Sequence, residues 1–194
     1  MLKSFLRAGL LVSLFLGSGC SALPGFIPGF GTASTIDNSF WQSNMPTYKV
    51  GMAWTYNTDV QVTGLPDVTS TYTREVTEAD ASGTKVKTTI AGVSSTEDLT
   101  PQTMMSFGGL SGAPDLSVQT SDSIVSAGNE DVTVPAGTYK GATKLNVSAS
   151  SVGAGSNVTV WVAKGVGIVK ELVTTGTAAA STSVTTELAS FTGS

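Results

Sequence analysis

Fourteen acidic residues and no histidine decide which chemistry is open to this chain. Without an imidazole, the commonest general base near neutral pH is missing. A serine or cysteine nucleophile paired with histidine is excluded with it. Zinc held by Cys and His is also out of reach, because Cys20 is the one cysteine. Carboxylates remain: Asp59, Asp67, Glu75, Glu78, Asp80, and the neighbours Glu97–Asp98 and Glu130–Asp131. Two of them could form a glycosidase pair, or loop oxygens could hold calcium. They fall mainly at expected turns and strand ends, where solvated charge is ordinary. No D-x-D-x-D-G loop is present, and no glycine-rich phosphate loop stands before a helix. The residues point away from an enzyme, and no cofactor or metal is expected.

Cys20 is placed for a different chemistry. Lys3 and Arg7 precede an apolar run, Ala8 to Leu16, and Gly17, Ser18 and Gly19 are small. This is the charged, apolar and small-residue order of a secretory signal. The run is shorter than the roughly 20 apolar residues that span a bilayer. Leu16-Gly17-Ser18-Gly19-Cys20 resembles the lipobox of bacterial lipoproteins, with the leucine four rather than three positions before the cysteine. The resemblance implies cleavage before Cys20 and its acylation, palmitate included. Each buried methylene adds about 0.8 kcal/mol, and stable anchoring takes more than one chain. Plain secretion, with cleavage after Ala22, is the alternative. The expected organisation is a signal peptide over 1–19, the lipidated Cys20 and a flexible Pro/Gly-rich tether over 20–47, and one domain over 48–194.

Without residues 1–19 the net charge is about −6, and no basic cluster is left. That argues against nucleic acid, which demands clustered Lys and Arg. Thr, Ser, Val and Gly dominate, and residues branched at Cβ favour strands. Pro24-Gly25-Phe26 and Pro28-Gly29-Phe30 break regular structure in the tether. Phe40 and Trp41 are expected where it meets the domain.

Trp54, Tyr56, Val60 and Val62 share one parity, the mark of a half-buried strand. Val68–Thr77 follows with Tyr72 and Val76 on one face, then Thr84–Ala91 with Val86 and Ile90 opposite Lys85 and Lys87. Leu99 to Pro114 is irregular and holds Met104, Met105 and Phe107. It plugs one end of the core or forms the lip of an apolar site; a helix near 97–107 is weakly signalled. Short strands are expected at 116–119, 123–126 and 131–134, with a turn at Pro135-Ala136-Gly137. Strands over 142–150, 168–174 and 183–191 follow, the last closing the sheet. Val158–Ala163 is apolar on both parities, so it predicts a strand covered on both faces. Together these predict an all-β domain: one strongly curved antiparallel sheet, half-barrel or open barrel, of roughly eight to ten strands, with a β-sandwich as alternative.

Three segments carry a resemblance: Val50-Gly51-Met52-Ala53-Trp54-Thr55-Tyr56, Val132-Thr133-Val134-Pro135-Ala136-Gly137-Thr138-Tyr139-Lys140, and Trp161-Val162-Ala163-Lys164-Gly165-Val166-Gly167-Ile168-Val169-Lys170. They are similar to a group of uncharacterised bacterial envelope lipoproteins with G-x-x-W-x-Y, V-P-A-G-T-F/Y and W-x-A-x-G-V-G-x-V-K motifs. The patterns also resemble periplasmic half-barrels of the lipoprotein-carrier kind. The resemblance implies a location and a fold, not an activity. The expected function is a non-catalytic envelope module binding an apolar ligand or a lipidated or extended partner, with Trp54, Tyr56, Met104, Met105, Phe107 and Trp161 on its concave face. The alternative is a structural or assembly lipoprotein working through protein contacts. Expected partners are the membrane, through the acyl chains, and a hydrophobic ligand or envelope protein. Ser21 after the cysteine suggests the outer membrane, on its periplasmic side.

Overall fold

A computed structural model describes residues 36, 38–81, 83–99, 123–148, 156–177 and 180–193. Helix α1 (Asn38–Asn44) precedes nine strands: β1 (Ala53–Val62), β2 (Val68–Asp80), β3 (Gly83–Ile90), β4 (Val93–Asp98), β5 (Ser123–Val134), β6 (Gly137–Ser148), β7 (Asn157–Ala163), β8 (Gly167–Thr177) and β9 (Ala180–Thr192). They form one sheet in the order β4-β3-β2-β1-β9-β8-β7-β6-β5, and every neighbouring pair is antiparallel. The sheet is strongly curved and stays open, with β4 and β5 as its edges. The all-β half-barrel is therefore observed, and the sandwich is not.

Period-two patterning fixes which side chains face inward. Trp54, Tyr56 and Thr58 are buried on β1, and Tyr72, Arg74 and Val76 on β2. β7 buries both parities: Val158, Val160 and Val162 on one side, Trp161 and Ala163 on the other. Bulges bend the ladder on β9 at Ala189, opposite Thr55/Tyr56, and on β8 at Val169, opposite Trp161/Val162. The bend is large enough for the Tyr56 hydroxyl to donate to the Ile168 carbonyl at 3.0 Å, across the intervening β9. β8 pairs with β9 only from Lys170 onward. Beyond that point the Leu188 carbonyl instead accepts the Ala136 N–H, at the tip of the β5–β6 hairpin.

Several expected boundaries are corrected. The segments 123–126 and 131–134 are one strand, β5, because irregularities between Ser126 and Asn129 and between Glu130 and Val132 absorb the break in pattern. β9 does not close the sheet; it lies at its centre, between β1 and β8. β4 falls over 93–98, a stretch to which no strand was assigned, since its exposed, polar sequence gives no alternation to read. Of the helix signal over 97–107, Glu97 and Asp98 belong to β4, and 100–107 lie outside the described residues, as does the span 116–119. Helix α1 lies inside the stretch read as tether. Residues 36–45 lack Pro and Gly, and Trp41 docks the helix against a cluster that includes Leu145, Val160, Val162 and Val173. Ile36 N–H donates to the Ile124 carbonyl on β5, and Gly165 N–H to the Asn44 carbonyl. The helix thus runs from the β5 edge to the β7–β8 turn.

The two-residue turn Ala91-Gly92 between β3 and β4 holds both residues at positive φ, +49° and +82°. A left-handed backbone costs a residue with a Cβ roughly 1–2 kcal/mol, and asparagine bears it better than alanine. Ala91→Asn is expected to stabilise the protein by about 1 kcal/mol, raising the thermal midpoint by roughly 2–4 °C in a calorimetric scan.

Candidate functional site

The inner face is where the sequence-predicted aromatics meet. Tyr56 and Tyr72 sit opposite each other on β1 and β2, and their rings stack at 5.1 Å. Trp54 faces Phe191 at 5.4 Å and donates its indole N–H to the Val166 carbonyl at 2.9 Å. Tyr48 packs edge-on against Trp54. Arg74, 7% exposed, lies among these rings and pairs with Glu97 on β4 at 2.9 Å. Burial pushes the Tyr48, Tyr56 and Tyr72 hydroxyls well above the usual phenol range, with Arg74 opposing it. All three stay neutral at physiological pH.

Between these rings and the start of β8 lies a cleft of about 30 Å³, lined by Met45, Tyr48, Trp54, Tyr56, Arg74, Val86, Leu99, Val166, Gly167 and Ile168. That is room for about two waters. Gly167 closes one side: at φ +97°, a Cβ there would stand 3.2 Å from Met45 Sδ. A wider hollow of about 450 Å³ lies over β1, β2 and β9. Its lining comes from polar residues, including Asn57, Asp59, Thr71 and Glu187.

Of the residues expected to face a ligand, Trp54 and Tyr56 line the small cleft. Trp161 is not brought there. It pairs in register with Lys144 and Lys170, on the opposite face of β7 from Val160. Both ammonium groups lie over its ring, at 5.3 and 5.8 Å, and its indole N–H donates to Glu130 at 2.6 Å. That bond, with Lys144, holds the Glu130 carboxyl below its usual range. Cys20, Met104, Met105 and Phe107 lie outside the described residues.

Five of the acids named from sequence are individually engaged. Glu78 pairs with Lys85, Glu97 with Arg74 and Glu130 with Lys144. Asp131 accepts the Gly141 N–H, and Asp59 accepts from Gln61. No group of three or more potential metal-binding side chains occurs among the described residues. No helix among them is long and apolar enough to cross a membrane.

Sequence reasoning missed the two charged side chains that are buried among the described residues, Arg74 and Glu171. The signal was present. Arg74 shares parity with Tyr72 and Val76, and Glu171 shares it with Val173. Glu171 is 3% exposed, and burial alone pushes its carboxyl well above the usual range.

No protein-family model and no curated protein matches the chain. Two solved structures are similar to it. One is a protein from Bacteroides fragilis NCTC 9343 described as exported, with a YmcC-like fold; it is 14% identical with a TM-score of 0.42, over 78% of this chain and 100% of that one. The other, from Parabacteroides distasonis ATCC 8503, is described as a lipoprotein; it is 13% identical with a TM-score of 0.45, over 76% and 97%. Both are remote likenesses.

The stacked tyrosines differ in one respect. Tyr56 donates to a buried carbonyl, while the Tyr72 hydroxyl is buried with no hydrogen-bond partner among the described residues. Stranding a buried partner costs about 1–3 kcal/mol, whereas removing an unpaired group costs little. Urea unfolding should show Tyr56→Phe destabilised by about that amount and Tyr72→Phe within about 0.5 kcal/mol of the parent. Equal losses would mean the Ile168 bond contributes nothing.

Proposed function

We propose that this chain is a cell-envelope lipoprotein, acylated at Cys20, whose half-barrel is a non-catalytic binding module for an extended segment of a partner protein. The observation that carries the reading is the contrast between a filled interior and an open edge. The inner cleft holds about 30 Å³, against the roughly 300–1,000 Å³ of a small-molecule site. Strand β4 pairs with β3 alone among the described residues, and Val93, Ser94, Ser95 and Thr96 are all exposed. Natural edges are blunted by Lys, Pro or bulges; Val93–Asp98 contains neither Lys nor Pro. An added strand would gain main-chain hydrogen bonds along such an edge. Acyl chains on Cys20 would hold the module at the membrane, with the outer membrane favoured by Ser21.

The direction of the free donors follows from one bond. Leu99 N–H donates to the Thr84 carbonyl on β3. Alternation along an antiparallel ladder then turns the Glu97 and Ser95 N–H groups toward β3, and those of Thr96 and Ser94 outward. Thr96→Pro removes an outward donor and leaves the β3–β4 ladder whole.

A photo-crosslinking residue at Ser94, in intact cells, should give one dominant protein adduct that Thr96→Pro abolishes. A probe at Val68, exposed but away from this edge, should not give it. An adduct indifferent to the proline, or equally strong from Val68, would defeat the edge reading. Palmitate labelling should vanish in Cys20→Ser; labelling that survives the change would defeat the anchor.

A further inference from the structure

Glu171 has no role in the reading above, and its position is unusual. It stands in register with Val160 on β7 and Thr186 on β9, and Thr186 stands in register with Thr58 on β1. Glu171, Thr186 and Thr58 are each buried, and together they form one polar row across the inner face. The two threonines satisfy each other, Oγ1 to Oγ1 at 3.2 Å.

The titratable groups that face Glu171 are Tyr56 on β1 and Tyr72 on β2, both neutral. Arg74 acts on those tyrosines but is not among the influences on Glu171, and it is paired with Glu97. Lys170 and Glu187 pair with each other, and Lys170 lies with Trp161 on the other face of the sheet. The described part of α1, Ser39–Asn44, brings no charge. A carboxylate here would have no cation among the described residues to meet it. Val160 and Val173, beside Glu171 across and along the sheet, belong to the cluster that seats Trp41 of α1.

We propose that Glu171 is a proton-operated latch on the inner face: protonated, it lies inside the closed sheet; ionised, it draws its part of β8 toward water and α1 lifts from β7 and β8. The closed form binds the proton that the open form releases. Closure is therefore complete at acid pH and is lost as pH rises. The open-to-closed ratio grows about tenfold per pH unit above the ordinary carboxylate pKa, until the closed form itself titrates. Burial alone raises the closed-state carboxyl, which widens that window upward. Opening would uncover the apolar strip under Trp41.

Hydrogen exchange on the full-length protein, followed by mass spectrometry between about pH 5 and 8 and corrected for intrinsic rates, tests this. Amides of 38–44 and 170–174 should lose protection about tenfold per pH unit, while 72–76 on β2 hold theirs. The E171Q protein should show no such pH dependence. The latch is overturned if the parent is flat with pH, if protection falls alike in every strand, or if E171Q follows the parent. Should E171Q fail to fold, the ¹³C carboxyl resonance of Glu171 in the parent decides: it must titrate in step with the loss of protection, and a midpoint in the ordinary glutamate range overturns the proposal.

Discussion

β1 and β9 lie side by side at the middle of the sheet, paired from Ala53 opposite Thr192 to Val62 opposite Thr182. Every other pairing joins strands adjacent in sequence, and the chain can form those as local hairpins. The β1–β9 pair must instead close almost the whole described chain on itself. Loop closure costs more as the loop lengthens, though slowly, so this seam depends on what its side chains add. Trp54 against Phe191 and the Thr58–Thr186 hydrogen bond both cross it, and Tyr56 stands opposite the fully buried Leu188. One meander, β1 to β4, then builds outward on one side, and the other, β9 back to β5, builds outward on the opposite side. The two edges of the described sheet follow directly, since β4 and β5 are the strands farthest from the seam.

Curvature then decides what the inner face can be. With Tyr56 reaching Ile168 and Trp54 reaching Val166, β1 is drawn toward the β7–β8 turn, and α1 covers the cluster under Trp41. The aromatic mass that could have walled a ligand site is used to fill the bend. Filling leaves the inward polar groups little access to solvent. The row Thr58–Thr186–Glu171 shows how differently they fare: two hydroxyls satisfy each other, while a carboxyl with no facing cation must stay protonated to remain inside. Arg74 escapes the same fate through Glu97, which reaches it from β4. The edge strand therefore also neutralises a buried charge two strands away.

Much of this was legible in the sequence. Period-two patterning located β1, β2, β3 and part of β6, and the two-sided burial of β7 followed from Val158–Ala163. The Pro135-Ala136-Gly137 turn fell where the β5–β6 hairpin turns. Two kinds of information were missing. Strand order is non-local, so nothing in 183–191 says that it belongs in the middle. Register across bulges is also unreadable, because one extra residue reverses which parity faces inward. Trp161 lies on the opposite side of β7 from Val160, yet it is buried in the same cluster as Trp54 and Tyr56. Glu171 was hidden by a prior: charge is assumed to be solvated, although its parity with Val173 placed it inward.

The outer face offers another measure of what the molecule presents. Thr71, Asn57, Glu187, Lys170, Trp161 and Lys144 follow one another across β2, β1, β9, β8, β7 and β6 in continuous register. Their functional groups are largely spent on one another: Thr71 donates to Asn57, Glu187 pairs with Lys170, and Trp161 is held by both lysines and Glu130. A face whose polar groups are already matched has little to offer a partner's side chains. The inner face is filled and the outer face is matched. The backbone of an unpaired edge is then the surface with hydrogen bonds still to make, and it binds through geometry common to any extended chain. Specificity must come from the few side chains that border it, with Val93 the exposed apolar one among them.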